Sequence, residues 1–362
     1  MASIRDVARA AGVSPATVSR TFTTPDLINA QTQQRVLEVA RQLNYRPPRL
    51  RKHRIGTEVK SGNGRPSGSS SVHDAIGFQF FTATSAPFDT IAANLFYATV
   101  FAGAQAEASS LGLHLLVHTT NRHVMAREIP KMIRDQAIGG MLLVGTADPE
   151  VLETFAGHVP NIILVDNRDE TGKYECVLSD GFHGAYTATR YLLELGHRRI
   201  GFYLSEAGVP TFQDRLHGYL SALFEAGIRP DFDMVFGRAP SIEEGRPEVA
   251  RVLASSTRPT AIISSNDAAA HSVLRLAREV GLKVPEDLSL IGFDDIELSS
   301  HSDPTLTTIR VDKEAMGRLA VRILQARLHR QDGGSVSSTP VSVQHLIPVH
   351  LIIRESCSTA RF

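Results

Sequence analysis

The chain has 362 residues, 42% of them apolar, with 38 basic against 38 acidic side chains and two cysteines. That length asks for two or three folding units, the apolar share is that of a globular protein, and Cys176 and Cys357 alone exclude a disulfide framework. The balanced charge hides an asymmetry. Residues 1–54 hold ten basic and three acidic side chains, so this stretch carries +7 and the remainder −7. A basic segment on an acidic remainder points to nucleic-acid binding confined to the N-terminal part. No apolar run reaches the ~18–20 residues of a membrane span, and the start lacks the apolar stretch of a signal peptide, so a cytoplasmic protein without a membrane partner is expected. The fourteen histidines are scattered and neither cysteine sits at metal-ligand spacing. His197 and His217 read as surface or internally satisfied groups, and neither metal nor cofactor is expected.

Three helices are predicted in residues 1–48. Ser3 can cap the first, Asp6 lies in its first turn where the helix dipole favours negative charge, and Ile4, Val7, Ala8 and Ala11 share a face. Gly12 breaks this helix in a tight turn. Ser14 can cap a second helix with Pro15 in its first position, and Val18 and Phe22 face back onto the first. The third opens at Asn29, carries Val36, Val39, Ala40 and Leu43, and ends at Tyr45 and Pro47–Pro48. Such spacing describes a helix-turn-helix whose second helix enters the major groove of double-stranded DNA. Its outward positions are Pro15, Ala16, Thr17, Ser19 and Arg20. Arg20 can donate two hydrogen bonds to guanine, Ser14, Thr17 and Ser19 suit phosphates, and Pro15 and Ala16 offer apolar contact to a thymine methyl. Asn29 and Tyr45, at the ends of the third helix, complete the candidate DNA contacts here. The plain alternative, a small bundle with a solvated basic surface, is disfavoured by the charge and the Gly12 turn.

The run IRDVARAAGVSPATVSRTFTTPDLINAQTQQRVLEVARQLNYRPP, residues 4–48, resembles the DNA-binding head of the LacI/GalR (lactose-repressor) family, and DVARAAGVSPATVSR is nearly that family's signature. The resemblance implies that Pro15, Ala16 and Arg20 face bases while Ser14, Thr17 and Ser19 touch the backbone.

Residues 49–73 read as a linker, first basic and then rich in Gly and Ser, a composition that cannot bury a core. Here the chain departs from the family, whose members follow the Tyr-x-Pro with a hinge helix that wedges a leucine into the minor groove. The aligned alanine and leucine positions are Arg51 and Arg54 in this chain. Leu50 as a shifted wedge, Arg51 or Arg54 entering a narrow minor groove as charges, and a merely solvated basic tether are the open readings.

Residues 74–362 alternate short apolar runs with helical stretches. Strands are predicted at 75–81, 113–119, 140–145, 161–166, 176–179, 199–205, 261–265 and 288–294, with helices at 91–111, 182–195, 212–226 and 267–280. Near-continuous apolar strands between helices argue for parallel sheets, and the length suggests two in series. Ligands bind outside the carboxyl ends of such strands. Those ends, with the helices that follow, bring Asp166, Asp180, Arg215, Asn266, Asp267, Asp294 and Asp295 forward, with Phe96 or Phe88 to cover an apolar face. Carboxylates, an amide and an arginine suit a polyhydroxylated ligand. Each has a plainer role: Asp267 and Asp180 as helix caps, Asp295 in solvent, Arg215 paired with Asp214.

LELGHRRIGF (193–202), RLHGYLSALFEAGI (215–228), the stretch from PTAIISSND to PTLTTIR (259–310) and RES (354–356) are similar to the same family's body. The resemblance implies an all-α helix-turn-helix head joined to an α/β body of two Rossmann-like subdomains, periplasmic-binding-protein-like, linked by three crossovers with an effector in the cleft. It raises Arg215, Asp294, Asn266 and Asp166 as effector contacts. The family's Asn-Pro-Phe-Phe stands here as Asn94-Leu95-Phe96-Tyr97, after a longer loop, so contacts do not transfer simply there. The expected subdomains are residues 74–178 with 307–328, and 179–306 with 329–356. A homodimer on a near-palindromic operator, controlled by a small-molecule effector such as a carbohydrate, is expected. Met316, Leu319, Ala320 and Ile323, on a helix at 312–329, suit a dimer face or plain core equally. The absence of GxGxxG, GxxxxGK[ST] and Gly-x-Ser-x-Gly motifs argues against an enzyme.

Overall fold

A computed structural model describes residues 4–15, 17, 18, 21, 29–43, 45, 74–82, 90–121, 129–169, 171–206, 208–332 and 342–361. The chain divides into two compact units, Met1–Gly68 and Ser69–Phe362, a division that falls within the linker expected at 49–73.

In the smaller unit, helix α1 spans Ile4–Ala11 and helix α2 spans Ala30–Gln42. Between them Pro15, Thr17, Val18 and Thr21 are helical. Gly12 turns the chain at φ +65, a conformation that costs glycine nothing. Val7, Ala8, Ala11, Val18, Val36 and Ala40 form a buried cluster, with Tyr45 packed on it. Small Ala8 and Ala11 let the helices close on Val18. Leu43, expected on the apolar face, is instead exposed. Ser3 and Phe22 lie outside the described residues.

The larger unit is built on two six-stranded sheets. The first contains β1 (Ala75–Thr82), β2 (His114–Asn121), β3 (Gly140–Val144), β4 (Ile162–Val165), β5 (Glu175–Ser179) and β11 (Gln344–Ile347), all parallel. The second contains β6 (Ile200–Tyr203), β7 (Val235–Phe236), β8 (Ala261–Ser264), β9 (Ser289–Asp294), β10 (Thr307–Val311) and β12 (Val349–Ile352), with only β12 antiparallel to its neighbour. Runs such as Gly140–Val144 and Ile162–Val165 are buried throughout, as strands covered on both faces must be. Helices α3 (Leu95–Ser110) and α10 (Lys313–Asp332) cover one face of the first sheet, and α4 (Lys131–Arg134) and α5 (Pro149–Ala156) the other. On the second sheet α6 (Gly181–Glu194) and α7 (Pro210–Glu225) oppose α8 (Ile242–Ala254) and α9 (Asp267–Glu279).

The lobes are not divided where the sequence reading puts them. Thr307–Val311 pairs with β9 and β12 in the second sheet, and the chain returns to the first lobe only at Asp312. Gln344–Ile347, expected in the second lobe, pairs with β5 in the first, and the chain crosses again at Pro348. With the passage at Asp180 between β5 and α6, this makes three crossovers. A short apolar strand carries no mark of which of two similar sheets it joins; that choice is tertiary.

Helix α10 packs on α3 through glycines. A Cβ on Gly103 would collide with the Glu314 carbonyl, and one on Gly317 with the Val100 carbonyl. Met316 and Ala320 are fully buried beside this contact, and Leu319 and Ile323 pack partly buried against the same core. Among the described residues no helix is long and apolar enough to cross a membrane. Because backbone faces backbone at Gly317, Gly317→Val has no flexible side chain to displace and is expected to cost roughly 3 kcal/mol. Urea unfolding of the full chain measures it; a loss under about 0.5 kcal/mol would mean the helices do not approach this closely.

Candidate functional site

In the small unit the Ser14 hydroxyl accepts a hydrogen bond from the Thr17 amide at 3.0 Å and lies 2.9 Å from the Thr17 hydroxyl. Ser14 thus caps the middle helix and Pro15 sits in its first turn, both exposed. The Thr17 hydroxyl, half-buried, is tied to that cap, which narrows its freedom to reach a phosphate. Asn29 caps α2, its side chain accepting from the Gln31 amide at 2.9 Å, and it is exposed. Tyr45 is half-buried against the helical core. Ala16, Ser19, Arg20, Leu50, Arg51 and Arg54 lie outside the described residues.

In the large unit Phe96, Asp166, Arg215, Asn266 and Asp294 all line one cavity of about 460 Å³. Sites for small molecules occupy roughly 300–1,000 Å³. The first lobe contributes Phe80, Phe81, Asn94, Phe96, Tyr97, Thr146 and Asp166; the second contributes Glu206, Phe212, Arg215, Asn266, His271 and Asp294 among others. Asp166 directly follows β4, Asn266 follows β8 and caps α9, and Asp294 ends β9, so the set gathers at strand carboxyl ends. Asp166 and Asp294 both hold positive φ, +52 and +112, a conformation side chains resist and surrounding structure must impose.

Arg215 is the centre of the second-lobe wall. It is 2% exposed, its Nη2 donates to Asp294 Oδ1 at 3.3 Å and its Nη1 to the Ser265 carbonyl. Its guanidinium lies over the Phe293 ring at 3.7 Å and the Phe212 ring at 5.0 Å. Asp294 is buried beside it, and burial pushes its carboxyl up to about 7 against the pull of Arg215. Across the cavity Tyr97 donates to Asp166 Oδ2 at 2.7 Å, while Asp166 Oδ1 has no hydrogen-bond partner among the described residues. Burial raises Asp166 too, with Arg215 and the Tyr97 hydroxyl opposing. Asn266 spends its side-chain oxygen on the Ala269 amide at 2.8 Å, leaving its NH2 for the cavity.

The remaining carboxylates have structural posts. Asp180 caps α6 through the His183 amide. Asp267 is not the α9 cap: its carboxylate accepts from Thr308 and Ser299 hydroxyls and the Ile296 amide, fastening the segment that carries Ile296 and Leu298 into the cavity wall. Asp295 is not solvated but pairs with Arg310 and Arg354, and Asp214 pairs with Arg168 rather than Arg215. His197 is buried and satisfied by Thr260, Ser289 and the Ser358 carbonyl. Phe88 lies outside the described residues. Sequence reasoning missed Tyr97, Glu206, Phe212 and His271. Tyr97 had a signal, its place beside Phe96 in the first turn of a helix after β1; the others sit on helices or loops where only the fold shows the facing side.

Residues 3–48 match the model for bacterial regulatory proteins of the lacI family, and residues 189–357 that for a periplasmic binding protein-like domain. The chain thus carries a lacI-family regulatory domain ahead of a periplasmic binding protein-like domain. Relatives include the HTH-type transcriptional repressor PurR of Pasteurella multocida, 29% identical over 91% of this chain and 93% of its own length. The Haemophilus influenzae protein of the same name is 29% identical over 98% of both chains. Among solved structures, the transcriptional regulator CelR–cellobiose complex has TM-score 0.69 at 23% identity, covering 98% of this chain and 100% of that one. The lac repressor dimer bound to operator and the anti-inducer ONPF has TM-score 0.64 at 23% identity, covering 99% of each. The two matched domains are those of a DNA-binding regulator joined to a small-molecule-binding type of domain, and the relatives and neighbours they share are transcriptional regulators rather than enzymes.

The raised Asp294 makes a pH signature. Unfolded, Asp294 ionises near pH 4; folded, near pH 7. Between those values the fold keeps a proton that the unfolded chain has released, so this group's contribution to stability falls as pH rises. Asp294→Asn removes the titration. Urea unfolding at pH 5 and pH 8 is expected to show the stability difference moving in the variant's favour at the higher pH, by roughly 1–3 kcal/mol. An unchanged difference would place the Asp294 titration elsewhere.

Proposed function

We propose that the chain acts in the cytoplasm as a homodimeric repressor on a near-palindromic operator, with operator affinity set by a small molecule, a sugar or sugar derivative, held in the cavity between the lobes. The observation that carries the reading is the convergence of Phe96, Asp166, Arg215, Asn266 and Asp294 from both lobes on that one cavity. Carboxylates, an amide and an arginine beside aromatic rings suit hydroxyl groups on one side of a ligand and an apolar face on the other. Neighbours described with bound cellobiose and bound ribose support the sugar class, and the lac repressor dimer on its operator supports the assembly. Arg20 reads bases from the recognition helix, with Pro15 and Ala16 beside it and Ser14, Thr17, Ser19, Asn29 and Tyr45 positioning the backbone. Leu50, Arg51 and Arg54 add contacts beyond the head.

A ligand that bridges the lobes favours the state in which they are close, and it biases the heads only through its differential affinity for the two states. The three crossovers confine the motion to hinge-like closure.

A thermal-shift screen of the full chain against sugars, sugar phosphates, nucleosides and purines tests the cavity. A ligand at about 100 times its Kd adds about 2.7 kcal/mol, seen as a melting shift of several degrees. The shift should vanish in Arg215→Ala and Asp294→Ala, with circular dichroism confirming that each variant folds. No hit across the panel sinks the small-molecule reading. For the head, operator fragments selected from random DNA should lose binding to Arg20→Ala by roughly 10–100-fold while non-specific binding changes little. A uniform loss over all sequences would make Arg20 a phosphate contact.

A further inference from the structure

Several ion pairs of the larger unit stay within one lobe: Arg322 with Glu107 and Arg327 with Glu175 in the first, Arg310 and Arg354 with Asp295 in the second. Arg168 with Asp214 does not. Arg168 follows β4 in the first lobe and Asp214 stands on α7 in the second, so the pair spans the two. It is two-pronged: Nη1 donates to Oδ1 at 3.0 Å and Nη2 to Oδ2. Both side chains are largely withdrawn from water, 28% and 20% exposed. A fork-to-fork arginine–carboxylate pair in such a place is stronger and more directional than one in open solvent.

The partners flank the cavity without lining it. Arg168 lies two residues beyond Asp166, and Asp214 immediately precedes Arg215, one cavity side chain from each lobe. Joining Arg168 to Asp214 therefore sets how far apart Asp166 and Arg215 stand. Helix α7 is seated on the first crossover, because a Cβ on Gly181 would lie 3.5 Å from Asp214 Cβ and 3.2 Å from Arg215 Cγ. At the second crossover Lys313 donates to the carbonyls of Val311, Asp294 and Asp295, contacts made at the pivot itself. Hinge rotation can leave a pivot contact in place. It breaks the Arg168–Asp214 pair, since two planar groups sharing parallel bonds lose both once they part by about 1 Å.

We infer that Arg168 and Asp214 form a latch that holds the lobes at their closed spacing before any small molecule enters the cavity. Opening costs both hydrogen bonds, and closing restores them. The protein's own charges thus bias the lobes toward the closed state, and a molecule in the cavity adds to a bias already present.

Double electron–electron resonance on the full chain, with no ligand added, reads the spacing. Glu150→Cys and Glu243→Cys carry the spin labels. Both positions are exposed, in the first turns of α5 and α8, which follow the carboxyl ends of β3 and β7. Cys357→Ser removes the more accessible native thiol, Cys176 being buried. Excess unlabelled chain confines the signal to distances within one chain, and circular dichroism confirms that each variant folds. The near-isosteric Arg168→Gln and Asp214→Asn are each expected to enlarge the longer-distance population by about threefold or more. Arg168→Lys, which keeps the charge but not the fork, should give an intermediate fraction. The double variant should open no further than either single one, because all three lose the same pair. Unchanged distances in both single variants overturn the latch. A double variant that opens by the sum of the two also overturns it, since the side chains would then act separately. Neither result touches the effector-site reading, which the thermal screen tests on its own.

Discussion

A buried guanidinium organises the large unit. Arg215 enters from the second turn of α7, is almost wholly removed from water, and is held by Asp294, by the Ser265 carbonyl and between two phenylalanine rings. A buried charge of this kind is expensive unless every partner is in place, and removal of one partner from such a pair costs about 3–5 kcal/mol. The ends of β8 and β9 and the start of α7 are therefore fixed relative to one another by a single side chain. Asp294 is held there at φ +112, and its burial raises the carboxyl against the pull of Arg215.

The rest of the second-lobe wall follows from the same economy of buried polar groups. Asp267 lies under Asp294 and has no water to turn to, so it collects two hydroxyls and an amide, and in doing so it fastens the segment after β9 against α9. Lys313, buried at the start of α10, donates to the carbonyls of Asp294, Asp295 and Val311. The first lobe repeats the theme with fewer parts: Asp166 stands at φ +52 after β4 and is steadied by Tyr97 from α3. Two strained carboxylates at strand ends, one per lobe, face a common cavity, and each is set by neighbours that are not themselves adjacent in sequence. A molecule that satisfied both carboxylates would couple the two lobes.

Much of this was legible in the chain itself. Apolar runs such as Gly140–Val144 and Ala261–Ser264 are buried from end to end, and that pattern occurs only where a strand is covered on both faces. Ser14, Pro15 and Gly12 carry local geometry that their chemistry enforces, so a cap and a turn could be read directly. The alternation of strand and helix put Asp166, Asn266 and Asp294 at strand ends without a structure, since the carboxyl end of a parallel strand is a position in the sequence as much as in space. Harder were the assignments that depend on a partner. Asp267 and Asp295 have the same chemistry as Asp294, and only their neighbours decide that one fastens a loop, one pairs with arginines and one faces the cavity.

The sequence by itself determined the helix-turn-helix, the parallel α/β body and most of the polar residues at the cavity, because each of these depends on periodicity, capping or strand ends, which act over a few residues. Tertiary structure alone decided the division into lobes. Thr307–Val311 joins the second sheet and Gln344–Ile347 the first because of the edge each meets, and nothing within either strand prefers one edge to the other. It also decided that Tyr97 braces Asp166, a contact across 69 residues that no local period can aim. Side-chain type is local information; which neighbour satisfies it is settled when distant segments compete for the same buried space.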